Sequence, residues 1–504
     1  MNQTLISLLK DVEGHSVKGT TSISISGVTS DSRRVLPGMV FVAVSGTRDD
    51  GRRYVGEAIE RGASAIVGED PNVYVGKRTF VQVPNARVAL SRLAAAWYGN
   101  PSRDLQVVGV TGTNGKTSVS FLLRHIIRAH EDSCGLIGTV RYEVGERHIP
   151  ASRTTPDAVE LHRLLDGMRE VGTKTVAMEV SSHALQQDRV ADVAFSYGVF
   201  TNLSPDHLDY HENMEAYFAA KRRLFESVSS SPSGRGMVIN TDDEYGRQLV
   251  AEFKSTPKVT YGLQTSRPVD YSAVGIRPHR TYTGFTLVSE SDLKAVNLPL
   301  IGTHNVQNCL AAIGVARQLG YPIETIVESL AQVDPIPGRL DRVDLGQPFL
   351  AFVDYAHTAD ALRRALETLR RLTPRRVILL YGCGGGREEA ERHAMGRVAA
   401  RLSDVSWITN DNPRGEAPET IVSQILSGVA SVGGHRWNVE LDRKLAIEEV
   451  LREAEPDDIV LIAGKGHETY QEIDGAVIPF DDRLYVEKFL EKMGYSPAAV
   501  RLAS

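Results

Sequence analysis

The segment VVGVTGTNGKTSVSFLLRHIIRAH, residues 107–130, places a buried-strand pattern, a glycine-bearing loop and a helix pattern in direct succession. The loop runs from Gly112 to Thr117, and the apolar residues after it recur at helical spacing. They are Val119, Leu122, Leu123, Ile126 and Ile127. Backbone N–H groups in such a loop, with the positive end of the helix dipole, form a cradle for anions. The segment therefore predicts a phosphate site between a sheet strand and a helix.

Two side chains of this loop suit a nucleoside triphosphate. Lys116 is placed to neutralise charge on the β- and γ-phosphates, and the Thr117 hydroxyl is placed to ligate Mg²⁺. The spacing departs from the general P-loop pattern, because Val110 stands five residues before Gly115. The strand–loop–helix order still favours an ATP site with Mg²⁺ over a glycine turn that merely joins a core strand to a helix.

Net charge and cysteine usage exclude several classes of protein. The 504 residues carry a formal net charge of −6, whereas a nucleic-acid-binding protein normally has a basic surplus. Cys134, Cys309 and Cys383 stand far apart, so neither a zinc knuckle nor a disulfide framework is indicated. The amino terminus lacks a signal-peptide pattern, and no apolar run is long enough to span a membrane. We expect a cytoplasmic protein that binds no nucleic acid.

Short apolar runs alternate with helical patterns along the chain, as in α/β proteins with largely parallel sheets. The predicted strands are GMVFVAV, ASAIVG, LQVVGV, KTVAMEV, YGVFTNL, GMVIN, FLAFVDYAH, RVILLYGCGGG, SWITND and DIVLIAGKG. A helix is predicted in IGTHNVQNCLAAIGVARQLG. Stretches rich in proline and glycine near residues 103 and 334 indicate boundaries between domains. We therefore predict domains at 1–103, 104–333 and 334–504.

Titratable residues follow the predicted strands of the middle domain. Glu179 ends an apolar strand, where a carboxylate can hold the Mg²⁺ of a nucleotide. A cluster that favours a functional site, although not at zinc spacing, comprises Asp206, His207, Asp209 and His211. Lys221 lies in the helical segment AYFAAKRRLFES. By residue type alone it is interpreted as a solvated surface lysine.

Eight motifs occur together in one order: TGTNGKTS, EVSSHAL, FTNLSPDHLDYH, AAKRRLF, GTHNVQN, VDYAHTADAL, DNPR and AGKGHE. This set resembles the Mur ligase family of peptidoglycan synthesis, and within it the UDP-N-acetylmuramoyl-tripeptide synthetases. The resemblance spans essentially the whole chain. It implies a UDP-binding amino-terminal domain, a central P-loop ATPase-like domain with a parallel sheet, and a Rossmann-like carboxy-terminal domain. It also implies ATP-dependent amide formation through an acyl phosphate on the D-glutamyl carboxylate of UDP-MurNAc-L-Ala-D-Glu.

The resemblance also implies roles for residues of the nucleotide site. Lys221 matches a lysine that CO₂ converts to a carbamate ligand of Mg²⁺, which replaces the surface interpretation given above. His207 matches the metal-binding histidine, Glu179 its accompanying carboxylate, and Lys116 the catalytic lysine. The positions expected to contact ATP are Gly112, Thr113, Asn114, Gly115, Lys116, Thr117, Ser118, His304, Asn305, Asn308, Arg339, Asp354 and His357.

Positions that match the UDP-sugar and peptide contacts lie in the first two predicted domains. They are Ser30, Ser32, Arg48, Asp49, Asp50, Thr154, Thr155, Ser181, Gln187 and Arg189. Hydroxyl groups with an arginine suit pyrophosphate and carboxylate recognition. Arg153 departs from relatives that carry asparagine before the paired threonines, so it is not included.

The stretch TNDNPRGEAPE, residues 409–419, bears on the incoming amine. Within the resemblance, DNPR marks enzymes that add meso-2,6-diaminopimelate, whereas lysine-adding relatives lack the arginine. Arg414 suits the distal carboxylate, and a buried Arg414 would lack a partner if lysine were bound. The residues expected to bind diaminopimelate are Arg387, Asp411, Asn412, Pro413, Arg414, Gly464 and Glu468.

Several alternatives remain at this stage. A lysine-adding ligase and a folylpolyglutamate synthetase share the general chemistry, although DNPR disfavours the first and SSHAL with DHLDYH disfavours the second. A P-loop switch or motor would hydrolyse ATP without the other substrates. A catalytically inactive scaffold is disfavoured by the complete set of Lys116, Glu179, His207 and Lys221. We expect a monomer.

Overall fold

A computed structural model describes residues 3–46, 50–130, 132–264, 268–373 and 375–496. The chain divides into two compact units. The first contains residues 1–261 and 314–320, and the second contains residues 262–313 and 321–504. No helix in the described ranges is both long enough and apolar enough to cross a membrane.

The first unit contains fifteen strands, nine α-helices and three short 3₁₀ helices among its described residues. The strands are β1 (Gln3–Thr4), β2 (Ser16–Lys18), β3 (Ser24–Ile25), β4 (Val28–Thr29), β5 (Val40–Val42), β6 (Ala65–Gly68), β7 (Thr79–Gln82), β8 (Gln106–Thr111), β9 (Cys134–Ile137), β10 (Arg141–Val144), β11 (Arg147–Pro150), β12 (Thr175–Glu179), β13 (Phe195–Phe200), β14 (Gly236–Asn240) and β15 (Lys258–Gly262). The helices are α1 (Leu5–Leu8), α2 (Val55–Glu60), α3 (Ala86–Trp97), α4 (Lys116–Ala129), α5 (Ala158–Glu170), α6 (Ser182–Gln186), α7 (Leu208–His211), α8 (Met214–Ser230) and α9 (Glu244–Glu252).

Two sheets organise this unit. The smaller has the order β2-β7-β6-β5-β4, in which only the β2–β7 pair is antiparallel. Within this unit, the strands of the larger sheet have the order β11-β10-β9-β12-β8-β13-β14-β15. Six of these strands are mutually parallel: β9, β12, β8, β13, β14 and β15. The hairpin β10–β11 adds an antiparallel edge beside β9. Because parallel strands end at the same edge, the loops after β8, β12 and β13 emerge together.

The remaining elements belong to the second unit, except that helix α10 (Thr303–Gln318) has residues in both units. The second unit's strands are β16 (Tyr271–Pro278), β17 (Thr283–Val288), β18 (Leu293–Leu298), β19 (Asp341–Val343), β20 (Leu350–Asp354), β21 (Val377–Tyr381), β22 (Val405–Ile408), β23 (Arg436–Val439), β24 (Ile459–Ala463), β25 (Tyr470–Ile473) and β26 (Ala476–Pro479). Its helices are α11 (Ile323–Leu330), α12 (Ala359–Arg370), α13 (Glu389–Leu402), α14 (Pro418–Ala430), α15 (Arg443–Glu453) and α16 (Asp482–Lys492).

The main sheet of the second unit has the order β19-β20-β24-β21-β22-β23. Only the edge strand β19 is antiparallel to its neighbour. The antiparallel strands β16, β17 and β18 form a meander, and β25 pairs with β26 as a hairpin. The carboxyl ends of β20, β24, β21 and β22 therefore lie at one edge, where parallel sheets bind ligands.

The parallel α/β architecture predicted from the sequence is confirmed, and each predicted strand run contains an observed strand. The helix predicted in residues 301–320 is α10. The meander β16–β18 and the two hairpins were not predicted. In β16, β18 and β26, exposed positions interrupt the apolar pattern and weaken the strand signal. The domain boundaries at 103 and 333 stay predictions.

Helix α4 shows how the sequence pattern becomes packing. The five apolar residues predicted for its inner face are all completely buried. Burial of that stripe fixes the helix against strands β8, β9 and β12, which it contacts. As a result, the first turn of α4, with Lys116 and Thr117, stays beside the loop after β8.

A buried histidine of α5 limits the stability of the first unit at low pH. His162 is fully buried, and its two ring nitrogens have no hydrogen-bond partner. Burial penalises the charged ring and lowers the pKa of His162 to about 4. The unfolded chain, with a pKa of about 6.5, binds this proton more readily, so stability falls as the pH drops from 6.5 towards 4.

We therefore expect His162→Leu, which conserves volume and removes two unsatisfied polar atoms, to raise the free energy of unfolding by about 1–3 kcal/mol. The gain should be larger near pH 5 than near pH 7 because only in wild type does protonation of His162 stabilise the unfolded chain. Urea unfolding at both pH values measures this, with exposed His15→Leu as the control. Equal pH dependence in wild type and His162→Leu would refute the role assigned to burial.

Candidate active site

The glycine loop after β8 has the backbone expected of an anion cradle. Gly112 and Gly115 have φ angles of 145° and 89°, which favour glycine. A Cβ atom on Gly112 would lie 1.9 Å from Thr201 Oγ1, so a side chain does not fit there. Thr201 follows β13 and donates to the Asn114 carbonyl at 2.6 Å. Thr201 therefore contacts the loop backbone at the place where a side chain on Gly112 would lie.

Lys116 is the first residue of α4 and bends back over the loop. Its Nζ donates to the carbonyl oxygens of Gly112 and Thr113, both at 2.9 Å. The ammonium group therefore lies over the cradle that the backbone forms. An anion in the loop would meet this charge together with the amino end of α4.

An oxygen-rich pair lies behind the loop. Thr117 Oγ1 donates to Glu179 Oε2 at 3.1 Å, and Glu179 ends β12 with its side chain fully buried. The Thr139 N–H and hydroxyl also donate to this carboxylate, each at 2.9 Å. A hydroxyl beside a carboxylate offers the oxygen donors that Mg²⁺ prefers, so these residues fit the metal implied by the resemblance.

Lys221, in α8, is buried and not solvated as its residue type suggested. Its side chain is only 2% exposed, and its Nζ donates to the Gly112 carbonyl at 2.9 Å. It also lies 4.4 Å from the centre of the Tyr217 ring. Burial, followed by the charge of Lys116, holds the pKa of Lys221 well below its ordinary value. The surface interpretation was wrong because α8 packs this face against the glycine loop.

The histidine rings of the Asp–His cluster after β13 contact each other's neighbours, including His183 of α6. His207 has a left-handed backbone (φ 54°), and its Nε2 lies 3.4 Å from Asp206 Oδ2. The His183 ring centre lies 4.8 Å from that of His207, and His211 Nε2 bonds with the Ser182 hydroxyl at 2.9 Å. Across the described residues, no group of three or more His, Cys, Asp or Glu could hold a metal ion. The cluster alone therefore does not form a ready metal site.

Burial, followed by the positive charges of neighbouring groups, lowers the pKa of both His183 and His211 to about 4. Both rings are therefore neutral at physiological pH. His183 and Tyr210 were not predicted as site residues. In the structure their rings belong to this cluster, with ring centres 4.3 Å apart.

The structure brings the expected peptide-binding residues together. Thr155 Oγ1 donates to the Glu179 carbonyl at 2.9 Å and accepts from the Ser181 N–H at 3.1 Å. Arg189 donates to the Thr155 carbonyl at 3.1 Å and to Gln187 Oε1 at 2.5 Å. Burial, then the nearby charge of Arg153, lowers the pKa of Arg189 to about 10. This guanidinium remains charged at neutral pH and suits an anionic ligand.

Thr154 joins the same group through a different neighbour, because its hydroxyl oxygen lies within hydrogen-bond distance (3.1 Å) of the Thr139 hydroxyl oxygen. Thr139 in turn donates to Glu179. The expected peptide site and the expected metal site therefore share one hydrogen-bond network.

The expected UDP-binding residues lie near the smaller sheet. Ser30 is exposed just after β4, whereas the buried Ser32 donates to Glu57 Oε2 at 2.6 Å. Asp50 caps a short 3₁₀ helix and pairs with Arg52 at 2.6 Å. Arg48 and Asp49 lie outside the described residues.

In the second unit, the expected nucleotide-proximal motif begins α10. Burial lowers the pKa of His304 to about 4, so its ring is neutral at physiological pH. Asn305 donates to the Ile301 carbonyl at 3.0 Å, and Asn308 donates to Asn305 Oδ1 at 3.2 Å. These bonds hold the amides in fixed positions on the helix.

Arg339, Asp354 and His357 surround Tyr355. The Arg339 guanidinium lies 4.9 Å from the Tyr355 ring centre, and His357 Nδ1 bonds with the Tyr355 carbonyl at 2.7 Å. Asp354 accepts from the N–H groups of Leu340 and Ala356 at 2.6 and 2.8 Å. Burial raises the pKa of Asp354 above its ordinary value.

Arg414 differs from the expectation of a buried guanidinium. Its side chain is 51% exposed and its backbone is left-handed (φ 57°). Nε donates to Glu472 Oε2 at 3.2 Å, and Nη1 donates to the Gly385 carbonyl at 2.5 Å. The argument that a lysine substrate would leave a buried Arg414 unpaired is therefore wrong, because Glu472 already pairs with it.

The other DNPR residues are buried and ordered. Asn412 Oδ1 accepts from Lys465 Nζ and from the Glu472 N–H, and its Nδ2 donates to Glu468, each at 3.0 Å. Asp411 Oδ2 is buried without a hydrogen-bond partner. A Cβ atom on Gly464 (φ 114°) would lie 2.4 Å from this oxygen, so only glycine fits. Half-buried Arg387 follows the glycines after β21.

Comparisons with known proteins agree with these observations. Family models match residues 24–98 (Mur ligase family, catalytic domain), 110–316 (Mur ligase middle domain) and 338–466 (Mur ligase, glutamate ligase domain). A protein of Geobacillus kaustophilus is 42% identical over 97% of this chain and 100% of its own length. The chain belongs to the Mur ligase family. That relative is named UDP-N-acetylmuramoyl-L-alanyl-D-glutamate--2,6-diaminopimelate ligase, as is one from Syntrophomonas wolfei, 40% identical over 96% of this chain and 99% of its own.

Solved structures place this Mur ligase in the same fold. One titled as a structure of UDP-N-acetylmuramoyl-L-alanyl-D-glutamate--2,6-diaminopimelate ligase has a TM-score of 0.70 at 31% identity, covering 98% of this chain and 100% of that one. The MurF ligase of Thermotoga maritima in complex with ADP has a TM-score of 0.62 at 19% identity, covering 92% and 98%. The second likeness shows the fold alone.

Sequence reasoning missed several residues of this Mur ligase's second unit. Lys465 lies inside the quoted motif AGKGHE and is fully buried, yet it was not singled out. Glu472, which pairs with Arg414, belongs to the hairpin β25–β26. Arg443 is also fully buried, and a charged residue at the start of a helix carries no local sign of burial. Their positions depend on contacts between segments far apart in the chain.

Proposed function

We propose that this Mur ligase joins meso-2,6-diaminopimelate to the D-glutamyl carboxylate of UDP-MurNAc-L-Ala-D-Glu in peptidoglycan biosynthesis. The observation that carries the proposal is the cradle of Gly112 with Lys116 above it and the Thr117–Glu179 pair behind it. The names of relatives at about 40% identity over nearly the whole chain support the choice of substrates. The cytoplasmic location and monomeric state stay predictions.

The reaction has two steps. A carboxylate oxygen of the D-glutamyl residue takes the γ-phosphoryl group of ATP, which releases ADP and forms an acyl phosphate. The amine of diaminopimelate then attacks the acyl carbon, an amide bond forms, and phosphate and a proton leave. Two anions approach each other in the first step, so the cationic Lys116 and the amino end of α4 lower the electrostatic barrier. Thr154, Thr155, Ser181, Gln187 and Arg189 are proposed to orient the peptide.

Thr117, Glu179, His207 and a carbamylated Lys221 are the residues proposed to hold Mg²⁺. The ion, when bound, supplies positive charge that neutralises the phosphates and polarises the transferred group. The oxygen donors Thr117 and Glu179 carry this assignment, since they already contact each other beside the loop.

The environment of Lys221 supports carbamylation. Lys116 and Lys221 both donate to the Gly112 carbonyl at 2.9 Å, which places two like charges side by side. Burial and Lys116 lower the pKa of Lys221, and the neutral amine is the form that adds to CO₂. In that step a C–N bond forms and a proton is released. The resulting carbamate anion would attract the Lys116 cation, whereas a protonated Lys221 would repel it.

The decisive experiment measures phosphate release with ATP, UDP-MurNAc-L-Ala-D-Glu and an amine, omitting each component in turn. We expect phosphate only when all three are present, and far more product with meso-diaminopimelate than with L-lysine at matched concentrations. Rapid hydrolysis with ATP alone would exclude a ligase. Equal use of lysine would retain the ligase chemistry and overturn the amine assignment.

Arg414→Ala is expected to raise KM for diaminopimelate by about tenfold or more while KM for ATP stays within about twofold. The distal carboxylate of the substrate would take the bidentate position that Glu472 only partly occupies. Steady-state kinetics measure this, with Arg452→Ala as the control because Arg452 is similarly exposed and pairs with Glu448. An unchanged KM for diaminopimelate in Arg414→Ala would refute the role.

A further inference from the structure

The second unit contains an ion pair from which water is fully excluded. Both side chains of Arg443 and Asp482 are 0% exposed. Arg443 Nε donates to Asp482 Oδ1 and Nη2 donates to Asp482 Oδ2, both at 2.7 Å. The two residues lie in the first turns of α15 and α16. This bidentate geometry fixes the guanidinium plane.

The remaining donors of Arg443 bind two strand ends. Nη1 donates to the Asn410 carbonyl at 3.2 Å, and Nη2 donates to the Ala463 carbonyl at 3.0 Å. Asn410 immediately precedes Asp411 after β22, and Ala463, the last residue of β24, immediately precedes Gly464. These strands are not neighbours, since β21 lies between them. One guanidinium therefore ties together the two segments that carry the DNPR and AGKGHE residues.

The segments after β22 and β24 are in close contact, so their relative position can vary little. Asp411 Oδ2 would lie 2.4 Å from a Cβ atom on Gly464, so the backbone of one segment touches the carboxylate of the other. Lys465 and Glu468 of the second segment bond with Asn412 of the first. A small shift between the strand ends would change all of these contacts together, and such misplacement is costly at a substrate site.

We propose that Arg443 is a positioning residue, held by Asp482, that sets the register between the two segments binding the incoming amino acid. This inference rests on the function proposed above. A buried ion pair is weak evidence for stability alone, because desolvation offsets most of the attraction. Its bonds to two substrate-bearing segments give it a role in specificity.

The same sheet offers a control ion pair at its opposite edge, although Arg376 is 27% exposed. Arg376 Nη2 donates to Asp458 Oδ2 at 2.6 Å, and Asp458 is fully buried. These residues immediately precede β21 and β24, far from the strand ends that carry the site. Loss of this pair shows whether removing any ion pair of the sheet changes the KM values.

The test is the kinetics of Arg443→Lys and Arg376→Lys in the full chain, with thermal unfolding measured for both. Lysine keeps the charge but cannot make the four bonds in these directions. For Arg443→Lys we expect KM for diaminopimelate to rise about tenfold or more, with KM for ATP and UDP-MurNAc-L-Ala-D-Glu within about twofold. Arg376→Lys should leave all three KM values within about twofold of wild type.

Asp482→Asn, which keeps the shape and one acceptor oxygen, should raise KM for diaminopimelate in the same direction but less, and serves if Arg443→Lys fails to fold. An unchanged KM for diaminopimelate in either folded variant would overturn the inference. So would a uniform change in all three KM values, which would indicate a purely structural pair. If wild type itself does not use diaminopimelate, it is the proposed function that fails instead.

Discussion

Replacing Lys116 by methionine is expected to lower kcat for amide formation by about 10³-fold. Methionine keeps most of the side-chain length but removes the ammonium group that lies over the glycine loop, 2.9 Å from two of its carbonyl oxygens. If the loop binds the phosphates as proposed, the transferred phosphoryl group would lose the Lys116 cation in the transition state. Phosphate release in the three-substrate assay measures the effect.

The matched control is Lys174→Met. Lys174 belongs to the same unit, but its side chain is 73% exposed and pairs with Asp132. Its replacement should leave kcat within about twofold because exposed pairs contribute little. Substantial ligase activity in Lys116→Met would contradict the assignment of the phosphate site, whatever the effect on nucleotide affinity.

Lys221→Ala is expected to lose most activity, about 10²-fold or more in kcat, and to recover part of it in excess acetate or formate. The truncated side chain leaves space beside the Gly112 carbonyl, where Lys221 Nζ now lies. A small carboxylate placed there would supply the anion that the proposed carbamate provides. Activity against carboxylate concentration, at constant ionic strength with chloride as the comparison salt, measures the recovery.

The pattern of rescue separates the two lysines. Acetate should restore Lys221→Ala but not Lys116→Met, because an anion cannot replace the Lys116 cation. Full activity of Lys221→Ala without added carboxylate would remove the carbamate hypothesis. Equal recovery with chloride would reduce the effect to one of salt.

Lys221 also shows where inference from the residues stops. The segment AYFAAKRRLFES correctly predicts a helix, observed as α8. A lysine on a helix is usually solvated, and nothing in its neighbours indicates that this face packs against the loop after β8. Only the resemblance to Mur ligases assigned Lys221 to the site, and the fold supplies the physical reason, which is burial beside Lys116.

Arg414 shows the opposite case. Its motif suggested a buried carboxylate clamp, but its partner Glu472 lies 58 positions later in the chain, on the hairpin β25–β26. Arg414 is half-exposed, and its Nε already donates to Glu472. Motif spacing carries no information about a side chain supplied by so distant a segment.

The sequence by itself determined the parallel α/β layout and the glycine cradle, because these depend on local periodicity, glycine conformation and the order of strand, loop and helix. Only the tertiary structure decided which charged groups are buried and what they contact. It placed Thr117 beside Glu179, Lys221 beside Lys116, and Arg443 across the ends of β22 and β24. The physical reason is that desolvation and ion pairing depend on neighbours from several strands, which adjacent sequence does not specify.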